Sequence, residues 1–282
     1  MSRRATLSLA LALALTLLAG CAAETPPATA PAAADPGHIH GLGADPATGK
    51  IYVAGHFGLF TLEGGRPQRV GDGTADHMGF TVAGPGTFYA SGHPPADRIA
   101  AGSAPHLGLI RSTDAGRSWT QVALAGTADF HALQVAGERV YGYDSQTGKV
   151  WRGEGGKLVA AGRLDLLDLA AGADDPDRLL ATTPDGVKVS TDGGERFEPL
   201  AGAPLLSFVD VTGRDALTAI APDGRIHAST DDGRTWRAGG RLDQQAVAFT
   251  AVSATHLLAA AMDGSVHEST DGGASFRAIL RP

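Results

Sequence analysis

The sequence predicts an all-β chain folded as a six-bladed β-propeller with four-stranded antiparallel blades, and three observations lead there. The stretch STDAGRSW at residues 112–119 returns as STDGGERF from 190, STDDGRTW from 229 and STDGGASF from 269. The four leading serines are separated by 78, 39 and 40 residues, and a fixed period of that size built from strands is the mark of a propeller. Around each copy the chain falls into short β-like runs divided by Gly, Asp and Pro, in a composition with 39 glycines and few aromatics.

The chain opens with an expected signal peptide over residues 1–20. Arg3 and Arg4 supply the positive start, LSLALALALTLL the short apolar core, and small residues lead to Cys21. This ending, LLAGC, resembles the lipobox of bacterial lipoproteins. The resemblance implies cleavage before Cys21, lipid on Cys21, and an extracytoplasmic protein anchored to the bacterial cell membrane. Cys21 is the single cysteine, so a lipidated chain has no thiol left and no disulfide. Residues 21–36 hold the lipidated Cys and an Ala/Pro-rich tether without apolar periodicity.

Residues 37–282 carry the blades. Because 78 is twice 39, a worn copy is expected near residue 151, where KVWRGEGGKLVAAG keeps a turn glycine at Gly155. Another lies in LFTLEGGRPQRV at residues 59–70, set further from Ser112 by the insertion HPPADRIAAGSAPHLG. This makes six units of four strands, named A to D from the centre outward. In the fifth these read SFVDVT, ALTAIA, RIHAS and WRAGG; in the sixth, AVAFTAV, HLLAAA, SVHES and FRAIL. Chain order predicts whole blades, with no strand exchanged at the closure.

The repeat resembles the Asp-box, or BNR repeat, of sialidase- and sortilin-like propellers. In each copy the carboxylate of Asp114, Asp192, Asp231 or Asp271 can accept bonds from turn amides, beside Ser112, Ser190, Ser229 and Ser269. Gly116, Gly194, Gly233 and Gly273 tolerate positive φ, and Trp119, Phe197, Trp236 and Phe276 can pack between blades. The repeat therefore reads as structural, and says little about activity.

Alternating strand directions put the A–B and C–D turns on one face. The B–C turns and D–A links form the other, where sialidases of similar repeat keep their active site. Seven histidines map to that second face, all in blades 1 to 3: His38, His40, His56, His77, His93, His106 and His131. His38 and His40, two apart on a strand, are expected to point the same way and to offer a metal two imidazoles. His40, His77 and His131 are expected in one channel mouth. Met78, Asp76 and Asp129 stand nearby; a Met ligand favours copper and a carboxylate favours zinc or manganese. Copper or zinc is thus the candidate cofactor, although no spaced metal motif such as HExxH occurs. The plainer reading makes these histidines polar rim residues of a wet channel.

A sialidase-like glycosidase would need a Tyr nucleophile with a supporting Glu, an Asp acid/base and three Arg on the substrate carboxylate. Tyr143 beside Asp144, with Arg163 and Arg241 in the matching links GRLDLL and GRLDQQ, are the weak catalytic candidates, and Arg98 is a third Arg on that face. No Glu maps to that face, and the family's Arg-Ile-Pro motif is absent. The net charge of −7 has no basic block within it, which argues against nucleic acid as a partner and makes a covalent anchor necessary at an anionic membrane. The sequence thus points to a lipid-anchored binding module for a metal or small ligand. A glycoside hydrolase and a scaffold for an envelope protein are the alternatives, and a monomer is the expected state.

Overall fold

A computed structural model describes residues 35–282. The signal peptide, Cys21 and the tether before Asp35 lie outside the described residues. Among the described residues no helix is long and apolar enough to cross a membrane.

Six four-stranded antiparallel sheets follow one another along the chain. Blade 1 holds β1 (Ile39–Ala44), β2 (Ile51–Gly55), β3 (Gly58–Glu63) and β4 (Arg66–Arg69). Blade 2 holds β5 (Asp76–Gly84), β6 (Thr87–His93), β7 (Leu109–Ser112) and β8 (Thr120–Ala123), with the short helix α1 (Ala96–Ala100) in its B–C insertion. Blade 3 holds β9 (Phe130–Ala136), β10 (Arg139–Asp144), β11 (Lys149–Glu154) and β12 (Lys157–Arg163). Blade 4 holds β13 (Asp168–Gly172), β14 (Asp175–Thr183), β15 (Gly186–Ser190) and the two-residue β16 (Glu198–Pro199). Blade 5 holds β17 (Phe208–Gly213), β18 (Ala216–Ile220), β19 (Arg225–Ser229) and β20 (Arg237–Arg241). Blade 6 holds β21 (Ala246–Ala251), β22 (Leu257–Ala261), β23 (Val266–Ser269) and β24 (Arg277–Leu280). The blade count and the unexchanged closure both match the sequence reading; only α1 is an element it did not expect.

The hydrophobic core is divided into six clusters, each shared by two neighbouring blades. Leu59 and Tyr52 of blade 1 meet Phe88 and Ile110 of blade 2, and the series ends with Val266 and Leu280 of blade 6 against Ile39 and Phe60 of blade 1. A lone four-stranded sheet buries too little surface to be stable, so the ring is the unit that folds. The closure is made by this packing and by the Thr250 hydroxyl donating to the Leu42 carbonyl at 2.8 Å.

The repeated turns are hydrogen-bonded in one pattern. In the first copy the Ser112 hydroxyl donates to Asp114 Oδ1 at 2.8 Å and accepts from the Gly116 amide at 2.8 Å. Asp114 then accepts from the Ser118 amide at 2.9 Å and the Ser118 hydroxyl at 2.6 Å. Ser190, Ser229 and Ser269 repeat the first two bonds. These hydrogen bonds hold the carboxyls of Asp114, Asp231 and Asp271 down at about 2. The aromatics that follow the turns, Trp119, Phe197, Trp236 and Phe276, pack onto clusters shared by two blades.

Candidate functional site

The innermost strands decide where the histidines go. In β1 the pairing to β2 jumps from Ile39↔Gly55 to Gly41↔Ala54, so His40 is an extra, bulged residue. In β9 the jump from Phe130↔Asp144 to Ala132↔Tyr143 bulges His131 in the same way. In β5 the jump from His77↔Gly92 to Gly79↔Ser91 bulges Met78. A bulge bends its strand and re-aims a side chain, and here three neighbouring blades place one at the same end of the channel.

This phase corrects the expectation for His77. The triplets His38-Ile39-His40, Asp76-His77-Met78 and Asp129-Phe130-His131 are equivalent. His77 therefore takes the core position of Ile39 and Phe130, and Asp76 takes the position facing the mouth. His77 is 2% exposed, with its ring 5.2 Å from that of Trp119, and burial pushes its pKa down to about 4 against the pull of Asp76. The expected mouth of His40, His77 and His131 is in fact one of His40 and His131 with Asp76 and Asp129. His38 stays beside His40 but lies outside the cluster around Asp76 and Asp129. It precedes β1, its ring lies 6.4 Å from that of His40, and it lines a cleft of about 600 Å³ between blades 1 and 6 with Val247, Met262 and Leu280. That cleft is the larger cavity, but of the seven histidines it holds only His38 and His40, so the chemistry is centred beside it.

The site has two halves. In the first, Asp76 Oδ2 lies 2.9 Å from His56 Nδ1 and Asp76 Oδ1 lies 3.5 Å from His40 Nε2. In the second, Asp129 Oδ2 lies 3.0 Å from His131 Nε2, 3.2 Å from His93 Nε2 and 4.0 Å from His106 Nδ1. His93 spans the halves, since its Nδ1 is 3.7 Å from Asp76 Oδ2. His56 and His93 each follow a glycine at the end of strand B: Gly55 is the last residue of β2, and Gly92 the last but one of β6. At Gly92, with φ +136°, a Cβ would stand 2.0 Å from the Asp76 carbonyl oxygen, so only glycine lets β6 approach β5 and deliver His93. The blade 2 insertion that carries α1 delivers His106, with its ring 5.5 Å from that of His93.

The electrostatics favour cation binding. Desolvation lowers the pKa of His40, and the charges of His131, His38 and His56 add to this against the pull of Asp76; the imidazole is thus neutral and able to ligate at neutral pH. Burial opposes ionisation of Asp129, but the His131 hydrogen bond and the charges of His131, His93 and His106 outweigh it and hold the carboxyl down at about 2. Asp129 is 1% exposed and is held in place by the Asp144 carboxylate, which accepts from the Asp129 amide at 3.2 Å. Four polar atoms of the site are buried without a hydrogen-bond partner: His40 Nε2, Asp76 Oδ1, His106 Nδ1 and Asp129 Oδ1.

Below the mouth runs a channel of about 360 Å³, which His40 and His131 also line. It reaches two carboxyls the sequence reading missed, Asp168 of β13 and Asp210 of β17. Burial raises Asp168 to about 7 despite hydrogen bonds from the Val209 and Leu169 amides. Burial, followed by the charge of Asp168, raises Asp210 well above the usual carboxylate range. The spacing of 39 residues from Asp129 to Asp168 was the available signal.

The glycosidase candidates do not converge. Arg163 and Arg241 are exposed at the ends of β12 and β20, the outermost strands of blades 3 and 5. Tyr143 is buried, which raises its pKa, and Asp144 binds the amides of Asp129 and Gln146 and the Thr147 hydroxyl. None of the four lines the channel.

No known family profile matches the sequence, and no curated protein matches it. Solved structures do. YCF48 bound to D1 peptide superposes with a TM-score of 0.52 at 16% identity, over 86% of this chain and 82% of that one. The GH74 enzyme of Niastella koreensis gives 0.59 at 14% identity, and the GH74 xyloglucanase of Xanthomonas campestris 0.57 at 17%. Each match covers 88% of this chain and 46% of the enzyme, so the chain spans less than half the length of either. What is shared is the propeller. At these identities the likeness shows the fold alone, and the neighbours include both enzymes and a peptide binder.

Proposed function

We propose that this chain is a lipid-anchored, extracytoplasmic propeller that binds a transition-metal ion at the histidine-lined mouth of its channel. The observation that carries the reading is the set of buried ligand atoms there without a hydrogen-bond partner: two imidazole nitrogens and two carboxylate oxygens. An unsatisfied buried polar atom costs about 1–3 kcal/mol, and a cation ligated by these atoms would offset that cost. Imidazole and carboxylate together suit zinc, copper(II) or nickel.

The test is the metal content of residues 24–282, which hold all six blades, purified without an affinity tag after exposure to zinc or copper(II). Retention that disappears in the His40→Ala, Asp129→Asn double variant supports the reading. Retention indifferent to that change places the metal elsewhere and refutes it.

One observation favours a second role on the same face. Five exposed apolar residues, Phe57, Ile99, Leu167, Leu205 and Met262, all lie in the B–C turns or D–A links around the mouth. Such a ring suits docking of an envelope protein over the site. Cross-linking from Phe57 and Met262 in intact cells would test it; adducts no different from those made from Val252 on the opposite face would exclude it.

A further inference from the structure

We infer that the mouth is a two-metal site in which the imidazole of His93 bridges two cations, an inference that rests on the metal-binding reading above. The first cation would be held by His40 Nε2, His56 Nδ1, Asp76 and His93 Nδ1. The second would be held by His93 Nε2, His106 Nδ1, His131 Nε2 and Asp129. Each set offers three imidazole nitrogens and one carboxylate.

Three of the six contacts have hydrogen-bond lengths and three are longer, and as a set they match ligand spacings. Tetrahedral ligands at 2.0–2.1 Å from an ion stand roughly 3.3 Å apart. The nitrogen–oxygen distances around Asp76 are 2.9, 3.5 and 3.7 Å, and those around Asp129 are 3.0, 3.2 and 4.0 Å. His40 Nε2 and Asp76 Oδ1 face each other at 3.5 Å, yet both lack a hydrogen-bond partner. On Asp129 the donors crowd one oxygen: Oδ2 receives His93, His131, Ser145 and Gln146, while Oδ1 is buried with none. Four side chains satisfied by hydrogen bonds alone would share the two oxygens more evenly.

His93 is the decisive residue. A neutral imidazole has one N–H, so it can donate to one carboxylate only, and its other nitrogen presents a lone pair. Here the two ring nitrogens face two different carboxylates. In the neutral ring the unprotonated nitrogen repels the carboxylate it faces, and a cation between each nitrogen and its carboxylate removes that repulsion; a doubly protonated ring would instead donate to both carboxylates and leave no lone pair for a metal. When the second cation binds, the remaining N–H bond of His93 breaks, its proton passes to solvent, and the electron pair left on nitrogen forms the new metal bond. No oxidant or reductant is involved. An imidazole bridge holds its ions farther apart than the about 3.5–4 Å of ordinary two-metal sites.

Copper(II) is the probe, because two copper ions joined through one imidazolate pair their spins. Residues 24–282 would be titrated with copper(II) while metal content and the EPR spin count are followed. The expected result is two retained equivalents, with the signal that grows over the first equivalent lost over the second. In His93→Ala the signal should instead follow copper content throughout. His106→Ala, in the exposed insertion, is the second variant and should retain one equivalent with a full signal. Saturation at one equivalent would overturn the two-metal inference and leave the metal-binding reading standing. Two equivalents with a full spin count would overturn the bridge. No retained copper or zinc would overturn both readings.

Discussion

Gly116 tests whether the repeated turn clamps one blade to the next. Its φ is +85°, and a Cβ added there would lie 2.2 Å from Leu59 Cδ2, 3.5 Å from Val70 Cγ1 and 3.6 Å from Phe88 Cδ2. Leu59 and Val70 belong to blade 1 and the turn to blade 2, so the backbone at Gly116 is pressed against its neighbour's core. Two costs act in Gly116→Ala. A left-handed alanine costs about 1–2 kcal/mol, and pushing the fully buried Leu59 aside costs about 1–3 kcal/mol more. The sum is about 2–5 kcal/mol. Gly137→Ala is the control, because its φ is +64° but nothing lies within 4 Å of the added Cβ. It should show the backbone cost alone, about 1–2 kcal/mol. Urea unfolding followed by circular dichroism and by tryptophan fluorescence gives both values, and coincident transitions would validate a two-state comparison. Equal losses in the two variants would refute the clamp. The same reasoning covers Gly273, where a Cβ would stand 2.6 Å from Ile226 Cγ1 of blade 5.

The other predictions concern metal, protons and the anchor. Zinc at a hundred times its Kd should stabilise the domain by about 2.7 kcal/mol and raise Tm by roughly 5–11 °C, and a calorimetric scan of Asp129→Asn should show no such shift. Asp168, with its carboxyl raised to about 7, keeps its proton in the folded state at pH values where the unfolded chain has lost it. Its contribution to stability therefore falls as pH rises from about 4 to 7, and Asp168→Asn should be more stable than the parent at pH 8, with the gap closing toward pH 4 in urea titrations. The turn carboxyl of Asp231 is depressed to about 2, so its contribution is present above pH 4 and lost as pH falls through 2. Asp231→Asn should flatten that acid limb; an unchanged limb would show that the turn does not use the charge. Finally, Cys21→Ser should move the protein from the membrane fraction to the soluble fraction and abolish labelling by a fatty acid; labelling that persists would place the anchor elsewhere.

The blade plan could be read from the sequence because its causes are local. Each turn is built by residues within a few positions of one another, such as Ser112, Asp114, Gly116 and Ser118, and copies at equal spacing must make equal units. Strand alternation then sorts loops to two faces without knowledge of the packing, which is why His40, His56, His93, His106 and His131 could be assigned to one face. The insertion carrying His106 was visible as a break in the period, though its helix was not.

Which side chains meet at the mouth was decided by ring closure and by single-residue phase. A β-strand reverses its side chains at every residue, so one bulged residue moves a whole segment to the other face. The pattern of His38 and His40 suggested a ligand pair, yet only His40 joins the carboxylate cluster, while His38 stays beside it in the neighbouring cleft. His77 looked like a ligand, but the phase of β5 gives its place to Asp76 and sends His77 to the core. Aligning HIH, DHM and DFH shows that phase in hindsight. No local signal shows that His93 stands between Asp76 and Asp129, because those three residues come from two blades. Sequence alone determined the units and their orientation, which depend on near neighbours. The tertiary structure decided which side chains meet, because convergence depends on how separate blades pack around one axis.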